Sequence, residues 1–430
     1  SGRFRMMRVN DISRMPDSLH HVKAFQEPLK VGTLSFLLTF ALAVASNPGQ
    51  AAEPIDARQE KWHKQYSGAI EALRTGRYGD GERLIKQAVI DAAVFGEGDK
   101  RFADSLGEYG RLLTMRGRFS EAQPLLEEEL HAREIYLSAG SAGGGAPGDV
   151  VAVNPALIPA MSSLVSFYLN YGTAEKADGL ADRLLAIIDG KINDYREAKS
   201  GPVTLKKGEA LTGWAGSAAK SMVNPVIEWA IAVDAIGNDF RSKGKLDLAE
   251  RCYNSALDVK ETVLGKEHLS LANSFDNLAS VYEERNDENR AQQYYSYALE
   301  TTERILPPEN YQVYNRLDKL AKCYIKQKNY QEAEKLYLRA QDFWKEPSRN
   351  GSEARAAFAL GNLYVLEKRY DEAVPLLQKA LSLAEAFYGP DSISLVPFLQ
   401  RYADTMYYLG QEGPRQELKA RASAISGATM

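Results

Sequence analysis

The sequence is poor in the residues that chemistry at a protein site usually needs. Two cysteines in 430 residues exclude a disulfide framework. Of five histidines, His20 and His21 fall in a leader-like stretch. His63, His131 and His268 have no His, Cys or acidic set at metal-ligand spacing. No metal and no cofactor are expected. The chain has no Gly-x-Ser-x-Gly nucleophile motif. The segment GWAGSAAKS at 213–221 only glances at a phosphate loop, because Ala219 stands before Lys220 where that loop needs glycine. The chain also lacks the basic excess of a nucleic-acid binder: 53 Lys and Arg face 57 Asp and Glu, a net charge of −4. With 44% hydrophobic and 26% charged residues it is neither a disordered chain nor a polytopic membrane protein. These absences point away from an enzyme and towards a binding or structural role.

Long apolar runs are scarce as well, with one exception. Residues 31–45, VGTLSFLLTFALAVA, carry no charge, follow Lys23 and Lys30, and lead into SNPGQAAEP. A positive flank, an apolar stretch shorter than the roughly 20 residues of a membrane span, and small residues afterwards describe a secretory signal. Residues 1–51 therefore read as a leader cleaved near Ala45–Ala51, and the protein as exported: periplasmic, secreted or envelope-associated. An uncleaved leader would instead tether it to a membrane.

What the sequence has in abundance is tyrosine, 23 against 14 phenylalanines, and the reason is a repeat. The stretches 277–299, 319–341 and 359–381 align residue for residue. Each begins with Leu, a small residue, and Tyr three further on: Leu278-Ala279-Tyr282, Leu320-Ala321-Tyr324 and Leu360-Gly361-Tyr364. Each continues with Ala291, Ala333 or Ala373, then Tyr295, Tyr337 or Leu377, then Ala298, Ala340 or Ala380. Apolar residues at i, i+3, i+4 and i+7 make amphipathic helices, and the small residues mark where two helices approach closely. Tyr282, Tyr295, Tyr324, Tyr330, Tyr337, Tyr364 and Tyr370 fall in packing slots, their rings buried and their hydroxyls expected to reach water.

This pattern resembles the tetratricopeptide repeat, a helix–turn–helix unit. Weaker copies lie at 76–89, 117–130, 163–185 and 235–257, and an eighth begins at 401. There Arg415 replaces the first alanine, as in a capping repeat with a solvated outer face. Turn positions at 76, 117, 172, 244, 286, 328, 368 and 410 are mostly about 42 residues apart, which resembles the kinesin light chain type of array more than the usual repeat of about 34. The resemblance implies an all-α, right-handed α-solenoid of about eight repeats.

Two intervals are too long. The Gly-rich stretch 139–154 fills one, between N-terminal repeats at 52–138 and a degenerate repeat at 155–190. An insertion at 191–224, containing Trp214, fills the other. It ends at Asn224-Pro225, a helix-start signal, and C-terminal repeats follow over 225–426.

In such arrays the first helix of each repeat lines a groove. Positions outside the packing pattern there include Asp276, Asn277, Lys319, Lys322, Lys326, Arg355, Phe358, Asn362, Leu366, Arg401, Asp404 and Tyr408. The resemblance implies a peptide-binding role for the amides and cations among them: Asn277, Lys319, Lys322, Lys326, Arg355, Asn362 and Arg401. The expected function is a scaffold for a protein or peptide partner. The alternatives are an enzyme or enzyme subunit with its site in the 191–224 insertion, where Trp214 is the candidate, and self-assembly of the solenoid.

Overall fold

The computed structural model describes residues 54–140, 154–172, 174–199, 217–343 and 351–428. The leader, most of the Gly-rich stretch, and Trp214 lie outside the described residues. Two compact units are present, one within residues 1–140 and the other within 141–430. Among the described residues there are sixteen α-helices, two short 3-10 turns and no strands. No described helix is long and apolar enough to cross a membrane.

The first unit has four helices: α1 (Ile55–Arg74), α2 (Tyr78–Ala93), α3 (Lys100–Met115) and α4 (Phe119–Gly140). They form two antiparallel hairpins, repeats one and two, joined by packing of α2 on α3.

The second unit holds repeats three to eight as six more hairpins. They are α5 (Ile158–Tyr171) with α6 (Ala174–Lys199), α7 (Ser217–Ser242) with α8 (Leu246–Leu264), α9 (Leu269–Glu284) with α10 (Glu288–Glu303), and α11 (Tyr311–Lys326) with α12 (Tyr330–Asp342). The last two are α13 (Ser352–Leu366) with α14 (Tyr370–Tyr388), and α15 (Val396–Tyr408) with α16 (Glu412–Ala428). Among the described residues the fold is all-α as expected, with two helix–turn–helix repeats in the first unit and six in the second.

The turns explain the spacing. At seven of the eight turn positions the backbone is left-handed: Gly76, Gly117, Gly244, Asn286, Lys328, Lys368 and Gly410 all have φ between 60° and 76°. Each ends its helix with the next N–H reaching back five residues, as Asp287 N to Tyr282 O at 2.8 Å and Arg369 N to Tyr364 O at 2.8 Å. Gly172 differs, with φ −115°.

Small residues then set how closely the helices of a hairpin approach. Ala249, Ala291, Ala333 and Ala373 are fully buried, as are the later alanines Ala256, Ala298, Ala340 and Ala380. Opposite them, a side chain on Gly237 would run into the ring of Tyr253, and one on Gly361 into Leu377. Of the tyrosines read as packing residues, Tyr282, Tyr295, Tyr337 and Tyr364 are buried and Tyr324, Tyr330 and Tyr370 half-buried, and the buried hydroxyls do not simply reach water. Tyr295 donates to Glu283 at 2.8 Å, Tyr337 to Asp318 at 3.0 Å, and Tyr253 to Asn238 at 2.7 Å. Burial beside a carboxylate favours this, because the hydroxyl keeps a full hydrogen bond while the ring leaves water.

The helix-start reading of Asn224-Pro225 is wrong. Helix α7 begins at Ser217 and runs through both residues. A proline removes one backbone donor, and helical bonds on either side hold the helix across that gap. The stretch read as an insertion is therefore helical at both ends, with α6 extending to Lys199.

Candidate functional site

Repeats are held to one another by a polar pin. An acid or amide one residue after the first small residue of the second helix meets a side chain at the turn of the following repeat. Glu82 accepts from Arg116 and Arg118. Asp178 accepts from Lys245 at 2.6 Å. Glu250 accepts from Tyr282 and Arg285. Glu334 accepts from Tyr364 at 2.6 Å and Arg369 at 3.2 Å. Between repeats five and six the pin is neutral: the Gln292 amide donates to Tyr324 at 3.2 Å and accepts from Gln327 at 3.1 Å. At the last junction the corresponding residue is Val374, and no pin can form. The recurrence of an acid after that small residue was a visible signal that sequence reasoning passed over.

The first helices of successive repeats, α11 with α13 and α13 with α15, touch one another. These helices carry Lys319, Lys322, Lys326, Arg355, Asn362 and Arg401 of the sequence-predicted residues. Over repeats five and six their charges are already matched. Lys319 sits 3.1 Å from Asp276, Lys322 2.7 Å from Asp318, and Lys326 pairs with Glu283. Burial pushes the Glu283 carboxyl up, but hydrogen bonds from Lys326 and Tyr295 outweigh it and hold the group below the usual glutamate value.

Asp276 was expected to be exposed and is not. It is only 9% exposed, because Arg316 of α11 comes down beside it, 3.5 Å away, while donating to Asn273 at 2.7 Å. Arg316 was not singled out from the sequence. It is 4% exposed, and burial lowers its pKa.

Repeats seven and eight differ. Arg355 is exposed and donates to the hydroxyl of Tyr388 at 3.2 Å, a neutral partner. Among the described residues, no carboxylate pairs with Arg355 or Arg401. The amide oxygen of Asn362 has no hydrogen-bond donor. Leu366 and Tyr408 stand 50% and 56% exposed at the ends of α13 and α15. Tyr408 stacks on Tyr370 with ring centres 5.0 Å apart. Phe358, also expected on the open face, instead packs against Phe398 at 4.4 Å. Asn277 is half-buried on α9.

On the other side of the second unit, a polar cleft of about 600 Å³ lies between α6 and α8. It is lined by Leu185, Asp189, Arg251, Ser255, Asp258 and Glu261 among others. It exists because this junction is built differently: α7 packs on α5, and α8 directly on α6. Ion pairs Arg196–Asp258 and Arg251–Asp182 tie the two helices together. Among the described residues, no three His, Cys, Asp or Glu side chains gather as a metal set. Cys252 and Cys323 are free and buried.

Comparison with known proteins agrees with the repeat pattern. A family model described as tetratricopeptide repeat matches residues 230–304, 312–386 and 352–414. No curated protein is a sequence match. Among solved structures, the chain is similar to BtubC (BKLC) from P. vanneervenii at 18% identity, covering 58% of this chain and 92% of that one, with TM-score 0.43. It is similar to a putative kinesin light chain with nearly identical TPR-like repeats from Podosopora anserina at 19% identity, covering 47% and 98%, with TM-score 0.41. A third is an assembly chaperone of RpL4 (Acl4), at 14% identity, covering 73% and 99%, with TM-score 0.40.

Proposed function

We propose that this chain, whose residues 230–414 are tetratricopeptide repeats, is a non-catalytic scaffold that holds a protein partner on the first-helix face of its second unit. The partner presents an extended peptide or a helix there. One observation carries this reading. The small and large apolar residues of the repeat pattern are taken up by packing, while α9, α11, α13 and α15 also carry amides and cations outside that pattern. Stacked repeats use such extended surfaces for recognition, and amide side chains can hold a peptide backbone without reading its sequence.

The apolar run at 31–45 supports an exported location, in which the scaffold organises an envelope-associated assembly. Cell fractionation tests that part: full-length chain in the cytosol overturns it.

The binding reading is tested by panning a random peptide library displayed on phage against the full chain. Selected peptides are then measured against variants carrying charge reversals on the first-helix face (Lys319→Glu, Lys322→Glu, Arg355→Glu and Arg401→Glu together) or on the second helices (Lys335→Glu with Arg339→Glu). Loss of binding only in the first set is expected. Binding that survives the face reversals sinks the placement.

A further inference from the structure

We infer that repeats three and four form a jaw. The contact of α5 with α7 is its hinge, and the contact of α6 with α8 is a row of exposed ionic links that parts as salt rises. This motion is independent of any partner at the first-helix face.

The packing at this junction differs from the rest of the unit. At the later junctions the second helix of one repeat packs on the first helix of the next. Between repeats three and four, first helix meets first and second meets second. Two side-by-side contacts allow the bodies to turn about one while the other opens, provided the two differ in kind.

They do differ. The hinge helices carry buried apolar side chains, Leu164 and Phe167 on α5 and Val233, Ile236 and Phe240 on α7. Ser166 of α5 also donates to Asp239 of α7 at 2.7 Å. Apolar burial carries no charge for added ions to screen.

The links from α6 to α8 are polar and run along both helices. Asp178, Asp182, Asp189 and Arg196 stand at i, i+4, i+11 and i+18, one stripe of α6. Arg251, Ser255 and Asp258 stand at i, i+4 and i+7, one stripe of α8. Lys245, at the start of α8, donates to Asp178 at 2.6 Å, and Arg251 donates to Asp182 at 2.6 Å. Ser255 donates to Asp189 at 2.9 Å, and Arg196 donates to Asp258. The side chains of the pairs Arg251–Asp182 and Arg196–Asp258 are about half exposed. Exposed pairs hold weakly one by one and are screened by added ions. The cleft of about 600 Å³ lies between the same two helices, so packing is already incomplete on the side that opens. A polar contact of this kind between packed bodies permits relative motion.

The test measures distances between spin labels in the full chain by electron paramagnetic resonance. One pair of labels joins α6 to α10, through Ala186→Cys and Asn289→Cys. A reference pair lies within repeats five to seven, through Asn289→Cys and Gln378→Cys. Cys252 and Cys323 are buried, and a sample without introduced cysteines checks that neither takes a label. Between about 0.01 M and about 1 M sodium chloride the screening length falls from about 30 Å to about 3 Å. Over that range the α6–α10 distance is expected to lengthen by about 3 Å or more, the width of one water layer between paired groups. The reference distance is expected to stay unchanged. Asp178→Lys with Asp182→Arg sets cation against cation, and is expected to open the jaw already at low salt. Adding Lys245→Asp with Arg251→Asp is expected to close it again. Circular dichroism checks that each variant keeps its helices, and if the reversed chain loses them the salt series decides alone. An α6–α10 distance that ignores salt overturns the jaw. So does a reference pair that lengthens equally, because the whole array then stretches.

Discussion

The carboxylate of Glu129 on α4 occupies the space that a side chain at Gly107 on α3 would need. Glu129 stands in the slot that alanine fills in most other repeats, and it is fully buried. The missing side chain at Gly107 makes room for it. Arg133 at 2.8 Å and Arg111 at 3.4 Å neutralise it, and Asp104 and Glu108 in turn hold those arginines at 2.9 Å and 2.8 Å. A slot that is alanine in most repeats thus carries a buried ionic group.

That arrangement predicts strong coupling. Gly107→Ala should destabilise the first unit by about 2 kcal/mol or more, since the overlap is with a group held by two cations. Glu129→Ala should cost about 1–3 kcal/mol, because both arginines lose the carboxylate they share and keep only Asp104 and Glu108. In the double variant the new methyl meets no carboxylate, so its loss should be smaller than the sum by more than about 1 kcal/mol. Urea unfolding of the four proteins measures this cycle, and simple additivity would refute it.

The pins predict a pH dependence. Burial pushes the Glu250 carboxyl up, but hydrogen bonds from Tyr282 and Arg285 outweigh it and hold the group below the usual glutamate value. A depressed folded-state pKa gives stability that is fully present above the unfolded value of about 4.3 and is lost as pH falls through the folded one. Glu283 acts in the same direction. Stability should therefore decline as acid is added below about pH 4.3, and Glu250→Gln should shallow that decline. Thermal unfolding across the acid range checks the slope.

Left-handed lysines offer a gain. Lys328 and Lys368 have φ of 60° and 62°, where an L side chain costs about 1–2 kcal/mol and glycine costs little. After subtracting the extra flexibility of unfolded glycine, Lys328→Gly and Lys368→Gly should each stabilise by about 0.5–1 kcal/mol. Denaturation midpoints that fall would show that the lysine side chains contribute more than their backbone strain removes.

Cysteine reactivity reports opening of the core. Burial pushes the Cys252 thiol up to about 12 and the Cys323 thiol up to about 11. The thiolate is the reactive form. Both should resist iodoacetamide at mildly alkaline pH in the folded protein and react once urea unfolds α8 and α11. Mass spectrometry of labelled peptides follows each site separately, and rapid labelling of either without denaturant would contradict its burial.

Much of this protein was legible from sequence, and for one reason. The helices, the turns and the repeat spacing depend on contacts within a few residues or at a fixed recurrence. A pattern such as Leu278-Ala279-Tyr282 with Ala291 and Ala298 therefore states them directly. Positions on the first helices were legible only in part, since Asp276 is buried and Phe358 packs against Phe398.

What sequence could not decide was which of those charges remains available. Lys326 is matched by Glu283 from the preceding repeat, Asp276 is covered by Arg316 from the following one, and Glu129 is admitted by an absent side chain on a neighbouring helix. Each outcome depends on a partner some twenty to forty residues away whose approach is set by how the hairpins stack. Helical period fixes a residue's direction, but only the packing of neighbouring helices fixes what it meets, and that is why Arg355 and Arg401 remain open while three lysines on the same face do not.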